Sequence, residues 1–527
     1  MRNLKEINVI IKKKFKKDFI KFALCYPNIY RAGISNFAIQ LIYFILNSYD
    51  DIICERFFLD YSKEPRSIES QTPLSEFDII GFSIQYELDY FNIIKMLKNA
   101  KIPILAKDRN SKILIAGGPC ILENPIPLEP IFDIFVLGDF EPICTNLLKI
   151  FRDFKNKRDK SIFYNNQFEG SYFPNIGKNI NNKKVLQDNL DEAYHPIRQI
   201  IPLEDINDGN IGLGRTILIE CCRGCRGACY FCLIGWQNLP YRERSFKKLR
   251  DIIENTIKFN KNIEKISLIG AGISYHKELK DITWYIANLG FRVSIPSLRA
   301  DIFNDDLAEA LRISGTKQIT IAPETGSENL RYLINKKITD DKIIDTIQTA
   351  LEHNIHKFKL YFMIDLPGEN KEDIKAIPDF IKKILKIGVK NRDISVSINN
   401  FIPKPHTPFQ WSKISDINKI RDKIRYLNKE LTKSLKLKVS FSDPRWDRIQ
   451  IMLSRGGKET QKLLTYSIRE GTSLGDIRRI LNDLNISFNN IIKEYDKDYQ
   501  FPWDFIDIGI NKNKLYKIWS KIRSKID

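Results

Sequence analysis

The chain is poor in histidine and has no long apolar stretch. Its five histidines begin at His195, so no histidine before that point is available to ligate a metal. No apolar run approaches the roughly 20 residues that a membrane-crossing helix needs, which excludes a helical membrane span. The basic start, M-R-N-L-K-E-I-N-V-I-I-K-K-K-F-K-K, has an apolar stretch too short for a signal peptide. A disulfide framework is also missing, because five of the nine cysteines crowd into Cys221–Cys232 and the rest are scattered. That usage fits a reducing cytoplasm, and an exposed metal cluster there would favour an oxygen-poor one. No internal repeat is evident.

Acidic residues are in deficit, with 65 Asp and Glu against 84 Lys and Arg, a formal charge of +19. Such an excess attracts nucleic acid through counterion release. A chain rich in Ile, Lys and Asn reaches the same charge by composition alone. Apart from Lys12–Lys17 and some helical faces the cations are scattered, so a solvated lysine surface explains them equally well. At 527 residues, 43% of them hydrophobic, the chain is long enough for two to four domains with ordinary cores.

Residues 1–190 read as alternating strands and helices. Strands are expected at Lys21–Tyr26, Phe77–Ser83, Lys112–Ala116 and Phe132–Leu137, with helices over Ser35–Leu46 and Tyr90–Asn99. Glycines close the later strands, in Gly117-Gly118-Pro119 and Gly138-Asp139. This pattern predicts a doubly wound, Rossmann-like parallel sheet that binds ligands at its strand ends. Phe151–Lys184 is polar and reads as the tail of that domain plus linker, and 191–212 continues the linker.

A second series fills 213–412. Its strands are expected at Thr216–Glu220, Lys265–Ile269, Arg292–Ile295, Gln318–Ile321, Lys357–Met363 and Asp393–Ile398. Helices over Phe246–Asn260, Asp305–Ser314, Ile338–His353 and Glu372–Ile387 lie between them. Six strands with helical crossovers predict a partial (β/α)6 TIM-type barrel, with its chemistry at the carboxyl ends of the strands. Residues 413–527 read as mainly helical, beginning with one long helix over Ile414–Lys436.

The densest chemical signal is C-R-G-A-C-Y-F-C, which sets Cys225, Cys229 and Cys232 at C-x3-C-x2-C spacing. Three thiolates so close suit a 4Fe–4S cube whose fourth iron stays open to a second molecule. Cys222-x2-Cys225 and Cys229-x2-Cys232 also pair as in a four-thiolate zinc site. Zinc ribbons, however, usually place a dozen or more residues between such pairs, and here there are three. Cys221 and Cys222 read as packing residues.

The strand ends carry further motifs: L-I-G-A-G-I-S, S-I-P-S-L-R-A-D, I-A-P-E-T-G-S, K-L-Y-F-M-I-D-L-P-G-E and F-I-P-K-P-H-T-P-F-Q-W. With the cysteines, this ordered series resembles the radical S-adenosylmethionine (SAM) superfamily, near methylthiotransferases and Elp3-like proteins. Many of those carry a cobalamin-binding-type domain at the amino end. I-I-G-F-S-I-Q-Y-E, A-G-G-P and G-D-F-E-P look like the ligand-facing loops of such a domain. S-D-P-R-W-D at Ser442–Asp447 and S-R-G-G at Ser454–Gly457 extend the resemblance to the carboxyl region.

The resemblance implies that Cys225, Cys229 and Cys232 hold a 4Fe–4S cluster whose open iron takes SAM. An electron from an external donor, ferredoxin or flavodoxin, then yields methionine and a 5′-deoxyadenosyl radical. Phe231 would hold the adenine edge, and Gly270 and Gly272 would meet the amino group, although the usual G-G-E here lacks its Glu. Arg299 and Glu324 would contact the carboxylate and ribose, or form a structural salt bridge; Ser297 is a further candidate on the same loop. Tyr361 and Met363 share one face of a strand and would line the adenine pocket or fill the barrel. Lys404 and His406 would meet substrate or close the barrel. Arg242 and Arg244 would contact phosphate, while Ser245 reads as a helix cap. Cobalamin stays open, since the base-off motif D-x-H-x-x-G is missing but relatives using cobalamin often lack it. The expected activity is radical modification of a carbon, with methyl or methylthio transfer to RNA foremost. Cobalamin-dependent methylation of a lipid, peptide or small metabolite is the alternative, as is an iron–sulfur redox or sensing protein.

Overall fold

The structure, a computed structural model, describes residues 5–10, 19–61, 63–177, 182–203 and 215–526. The basic run Lys12–Lys17 and residues 204–212 of the expected linker lie outside the described residues.

Short runs rich in Ile, Leu and Phe build the first sheet because they can be buried on both faces. Five parallel strands stand in the order Ile52–Phe58, Ile20–Tyr26, Ile79–Ser83, Ile113–Gly117, Ile134–Val136, and Ser171–Tyr172 joins antiparallel at the edge. The order reverses between Ile20–Tyr26 and Ile79–Ser83, which opens a crevice at their carboxyl ends. Helices Phe37–Asn47 and Phe140–Lys157 cover one face.

Two strands of this sheet are absent from the expected set. Ile52–Phe58 is buried along its whole length although Glu55 and Arg56 interrupt its apolar run. Arg56 is fully buried, and it is tolerated because Glu6 and Glu69 each approach its guanidinium to 2.6 Å. Ser171–Tyr172 lies inside the stretch expected as tail and linker, and two residues are too few to show a period.

The barrel strands Thr216–Glu220, Lys265–Ile269 and Arg292–Ser294 pair in parallel, as do Gln318–Glu324, Lys357–Ile364 and Ile394–Asn400. A parallel bridge between Leu298 and Ile321 joins the two groups. A seventh parallel strand, Lys438–Phe441, adds to Ile394–Asn400. The long helix expected over Ile414–Lys436 runs from Ile417 to Leu427, continues as a π-turn to Ser434 and stops before this strand.

Burial alternates strictly along Lys357–Ile364. Phe358, Leu360, Phe362 and Ile364 face the helices and are buried, whereas Lys359, Tyr361 and Met363 line the half-open interior. The carboxyl helices Pro444–Arg455, Lys458–Glu470, Leu474–Asp483 and Lys512–Arg523 share one continuous core with the second face of the first sheet and the helix Asp89–Asn99.

Gly138 ends a strand at φ +129°, and a Cβ there would run into the backbone carbonyl of Val185. Gly177 also has positive φ, +93°, but open space around it. Gly138→Ala is expected to lower stability in urea unfolding by about 2–3 kcal/mol, against about 1 kcal/mol for Gly177→Ala. Equal losses would remove the close approach as the reason for the glycine.

Candidate functional site

The first barrel strand, T-I-L-I-E, is buried throughout and delivers the cysteine loop at its carboxyl end. Cys222–Arg223 pairs antiparallel with Arg242–Glu243, so the loop between them is pinned at its base. Its interior is tied to the segment after the fourth strand. The Tyr230 amide donates to the Ile334 carbonyl at 3.1 Å, and Asn335 Nδ2 donates to the Ala228 carbonyl at 2.9 Å. Trp236 Nε1 holds the Cys229 carbonyl at 2.9 Å, and the Gly227 amide points at Cys225 Sγ at 3.4 Å. Cys225 and Cys232 are half-buried and Cys229 is buried.

Four thiolates on one zinc at ~2.3 Å would sit about 3.8 Å apart. Among the described residues, no three of these cysteine sulfurs lie within 4.8 Å of one another. Cys221 and Cys222 turn into the barrel core and are buried. Burial pushes the Cys229 thiol up to about 12, against the pull of Lys336, and also raises Cys232. Iron binding must therefore displace protons from buried thiols.

Around Cys229 the later strands place charged groups. Glu324 stands at the end of the fourth strand with φ +72° and pairs with the buried Lys336 at 3.0 Å. Burial pulls the Lys336 ammonium down, but Glu324 and Cys229 outweigh it and its pKa rises. Arg299 pairs with Asp301 at 2.8 Å and lies 5.1 Å over the Tyr275 ring. Arg299 and Glu324 are thus each held by another partner and do not pair with one another. Ser297 is exposed on the loop before Arg299. Gly270 and Gly272 press on the cysteine loop: a Cβ on Gly270 would meet Cys222 Sγ and one on Gly272 would lie 2.7 Å from the Gly224 oxygen. Phe231 and Met363 pack on the core shared with the carboxyl helices, and Lys359 lies 4.9 Å over the Tyr361 ring.

A cavity of about 500 Å³ lies between the carboxyl edge of the first sheet and the base of the cysteine loop. Gly81, Ser83, Gly117, Gly118 and Gly138 face it from one side, and Cys222, Arg223, Gly270 and Gln237 from the other. Below it the two domains are joined by ions. Arg223 meets Glu220 at 2.8 Å, Glu141 at 2.7 Å and Asp139 at 3.1 Å. Arg242 meets Asp139 at 2.7 Å and Arg244 meets Glu220 at 3.1 Å. Arg242 is therefore an interdomain tie and Arg244 a tie within the barrel, both already matched by carboxylates, while Ser245 caps its helix by accepting from the Lys248 amide at 3.2 Å.

Lys404 also faces inward. It forms ion pairs with Glu87 and Glu123, from two ligand-edge loops of the first sheet. Burial pushes Glu123 up to about 8 and pulls the Lys404 ammonium down to about 7. His406 is buried, and burial holds it down to about 3, an uncharged ring. Lys336, Tyr275, Asp139 and Glu141 were not among the residues expected at the site. The motif G-D-F-E-P contained two of them, but nothing local distinguishes a ligand-facing acid from an interdomain one.

Two predictions follow from this geometry. After anaerobic reconstitution, wild type and Cys222→Ala are expected to hold about four irons per chain, and Cys225→Ala, Cys229→Ala and Cys232→Ala far fewer. Iron retained by all three single variants would remove these cysteines as ligands. Arg223→Ala removes a partner from the buried Glu220 and from the half-buried Asp139 and Glu141 and is expected to cost about 3–5 kcal/mol in thermal unfolding.

Residues 38–174 match the family described as Radical SAM proteins, N-terminal, and residues 219–404 match the Radical SAM superfamily. An uncharacterized protein of Methanocaldococcus jannaschii is 34% identical over 452 residues, covering 86% of this chain and 92% of its own. An uncharacterized methyltransferase of Pyrococcus horikoshii is 25% identical over 58% of this chain and 64% of its own. Among solved structures, the radical SAM methyltransferase TsrM from Kitasatospora setae, with cobalamin and a 4Fe–4S cluster bound, superposes at a TM-score of 0.52 and 13% identity, covering 75% of this chain and 77% of that one. That likeness is one of fold. The paired domains, the three-cysteine loop at the mouth of the barrel and the near full-length relative place this chain in the radical SAM superfamily, whose members are enzymes that bind a 4Fe–4S cluster and SAM.

Proposed function

We propose that the chain is a cobalamin-binding radical SAM methylase acting on a carbon of a small molecule or peptide. The cavity between the first sheet and the cysteine loop carries this reading. It lies at the switch point of a doubly wound sheet, where such folds take their ligands. Glycines at the strand ends let a large planar group approach the backbone. Gln237 lines the wall with a fully buried side chain whose Oε1 has no protein partner, a place for a donor on the edge of a ligand rich in amides. No described histidine reaches the cavity, so a bound cobalamin would lack a histidine ligand from this chain.

When bound, the cluster with SAM supplies a 5′-deoxyadenosyl radical and cobalamin supplies a methyl carrier. The chain's own part is to hold the loop, to set charge around it and to exclude water. Cys225, Cys229 and Cys232 would ligate iron. Arg299 and Glu324 would orient the carboxylate and ribose of SAM, Gly270 and Gly272 would meet its amino group through backbone, and Phe231, Tyr361 and Met363 would wall the adenine. An external one-electron donor is required, as for the family in general.

Geometry favours methyl over methylthio transfer, because a single cysteine among the described residues, Cys222, lines the cavity, too few to hold a second, sulfur-supplying cluster there. It also favours a compact substrate over RNA. The cations at the barrel mouth are already matched, Arg299 by Asp301, Lys336 by Glu324 and Lys404 by Glu87, which leaves little for a phosphate chain to gain.

Reduced, cluster-loaded protein is expected to release 5′-deoxyadenosine from SAM, and Cys229→Ala is not. Equal, negligible release by both under good reduction would instead support a redox or sensing protein. Hydroxocobalamin added anaerobically is expected to stay with the protein through gel filtration, giving its ultraviolet–visible bands. Ala38→Trp, which fills the cavity from a half-buried position, should abolish that retention and leave SAM cleavage intact. Retention unchanged in Ala38→Trp would place cobalamin elsewhere.

A further inference from the structure

The turn that follows the second barrel strand runs along the cysteine loop. Ile273–Tyr275 is a single 3-10 turn. The Tyr275 amide donates to the Gly272 carbonyl at 2.8 Å, and His276 Nε2 donates to the Arg244 carbonyl at 2.9 Å. A Cβ on Gly272 would lie 2.9 Å from Cys225 Cα, so the turn touches the backbone of the first cysteine. Tyr275 is half-buried and leans on Gly227, two residues further along the loop. A Cβ on Gly227 would lie 2.9 Å from Tyr275 Oη and 3.4 Å from Cys225 Sγ. The phenol oxygen and the sulfur thus border one space, the size of the methyl that glycine lacks. The Gly227 amide points at the same sulfur from 3.4 Å.

The hydroxyl of this tyrosine does nothing for the fold. Tyr275 Oη has no hydrogen-bond partner among the described residues, whereas Tyr30 and Tyr285 each give theirs to a carboxylate at 2.6 Å. The ring, by contrast, is engaged. Arg299 Cζ lies 5.1 Å over it, and the Arg299 amide donates to Ser274 Oγ, one residue earlier, at 3.1 Å. Asp301 takes two edge nitrogens of that guanidinium, at 2.9 and 2.8 Å, which leaves the ring to support its face. Tyr275 therefore touches two parts of the site at once. Its ring meets the arginine assigned to the SAM carboxylate, and its hydroxyl faces the sulfur assigned to iron.

A phenol keeps its proton at neutral pH and can donate it to a hydrogen bond. A donor on a thiolate that holds iron favours the form of the cluster with one more negative charge, and so raises its reduction potential. We propose that Tyr275 is a positioning residue of the radical SAM site: its hydroxyl donates to Cys225 Sγ once that thiolate holds iron, and its ring supports Arg299 for the SAM carboxylate. Gly227 leaves the room in which the hydroxyl and the sulfur meet. This deepens, and rests on, the reading of Cys225 as an iron ligand and of Arg299 as a SAM contact. One side chain then makes the cluster easier for the external donor to reduce and steadies the arginine that holds SAM beside it.

The test uses the full-length, anaerobically reconstituted protein, titrated with dithionite and mediators without SAM. The electron paramagnetic resonance signal of the reduced cluster gives the midpoint. Tyr275→Phe keeps the ring and removes the hydroxyl. At the wild-type midpoint it is expected to hold about tenfold less reduced than oxidised cluster, a fall of about 59 mV for a one-electron couple. Gly227→Ala, whose methyl takes the shared space, is expected to lower the midpoint in the same direction and to add nothing in the Tyr275→Phe background. SAM affinity is measured by equilibrium dialysis on the oxidised protein. It is expected to stay within about twofold in Tyr275→Phe and to weaken about fivefold in Tyr275→Leu, which removes the ring. A midpoint unmoved in Tyr275→Phe, or shifts that add in the double variant, overturns the hydroxyl contact. Equal SAM affinities in the Phe and Leu variants overturn the role of the ring. A wild type with no reducible cluster overturns the reading of the cysteines themselves. Midpoint shifts in a protein that binds no SAM overturn the radical reading and leave the hydroxyl contact standing.

Discussion

Three arginines and three carboxylates where the first sheet meets the barrel, Arg242, Arg244 and Glu220 buried and Arg223, Asp139 and Glu141 half-buried, set the geometry on which everything else depends. Arg223 touches Asp139, Glu141 and Glu220, Arg242 shares Asp139, and Arg244 shares Glu220. Desolvating such groups costs several kcal/mol each, and only tight, complete pairing offsets it. Burial pulls Arg223 down, yet Glu220 and Asp139 outweigh it and its pKa rises; burial pushes Asp139 up, yet Arg223 and Arg242 bring it below the usual carboxylate range. The charges are equal in number, so no member can leave without stranding another. Arg223 lies two residues before Cys225, so the same network that joins the domains also aims the cysteine loop. The cavity between the domains keeps its shape for the same reason.

The barrel itself is built inside out compared with a closed one. Its apolar strand face turns outward to the helices, while the interior carries Lys359, Tyr361, Ser395, Ser397 and Asn399, half-buried or exposed. A closed eight-stranded barrel fills this space with aliphatic layers. Seven strands leave an opening and a polar lumen. The lid is supplied from elsewhere, by the ligand-edge loops of the first sheet and by the helix Pro444–Arg455. The carboxyl helices share one core with that sheet and with barrel residues such as Leu330 and Phe401, and Met452, Leu463 and Ile477 pack in one cluster with Tyr90, Ile94 and Leu97. The mouth is thus walled by three stretches of chain.

Much of the architecture was legible in the sequence because it rests on local pattern. The strand Lys265–Ile269 and the helix starting at Phe246 fall where alternation and the Ser245 cap put them. What escaped had a physical reason. Ile52–Phe58 was hidden by Arg56, a residue whose burial makes sense only once Glu6 and Glu69 are beside it. Lys438–Phe441 is four residues long and half polar, too short to show a period and preceded by a helix whose pattern runs almost into it. At the site, the cysteines were legible because metal ligands must recur at fixed spacing. Arg242 and Arg244 were legible as important but not as what they are, since an arginine that meets phosphate and one that meets Asp139 look alike in one dimension.

The sequence by itself determined the cysteine loop, its place after a buried strand, and the alternation of strands and helices that makes both parallel sheets. These are short-range properties, decided by residues within a turn or a strand of one another. Only the tertiary structure decided which charges face one another. It gave Arg299 to Asp301, Glu324 to Lys336 and Lys404 to Glu87. The Lys404–Glu87 pair joins residues 317 positions apart, and its energy depends on burial that exists only after the domains have closed.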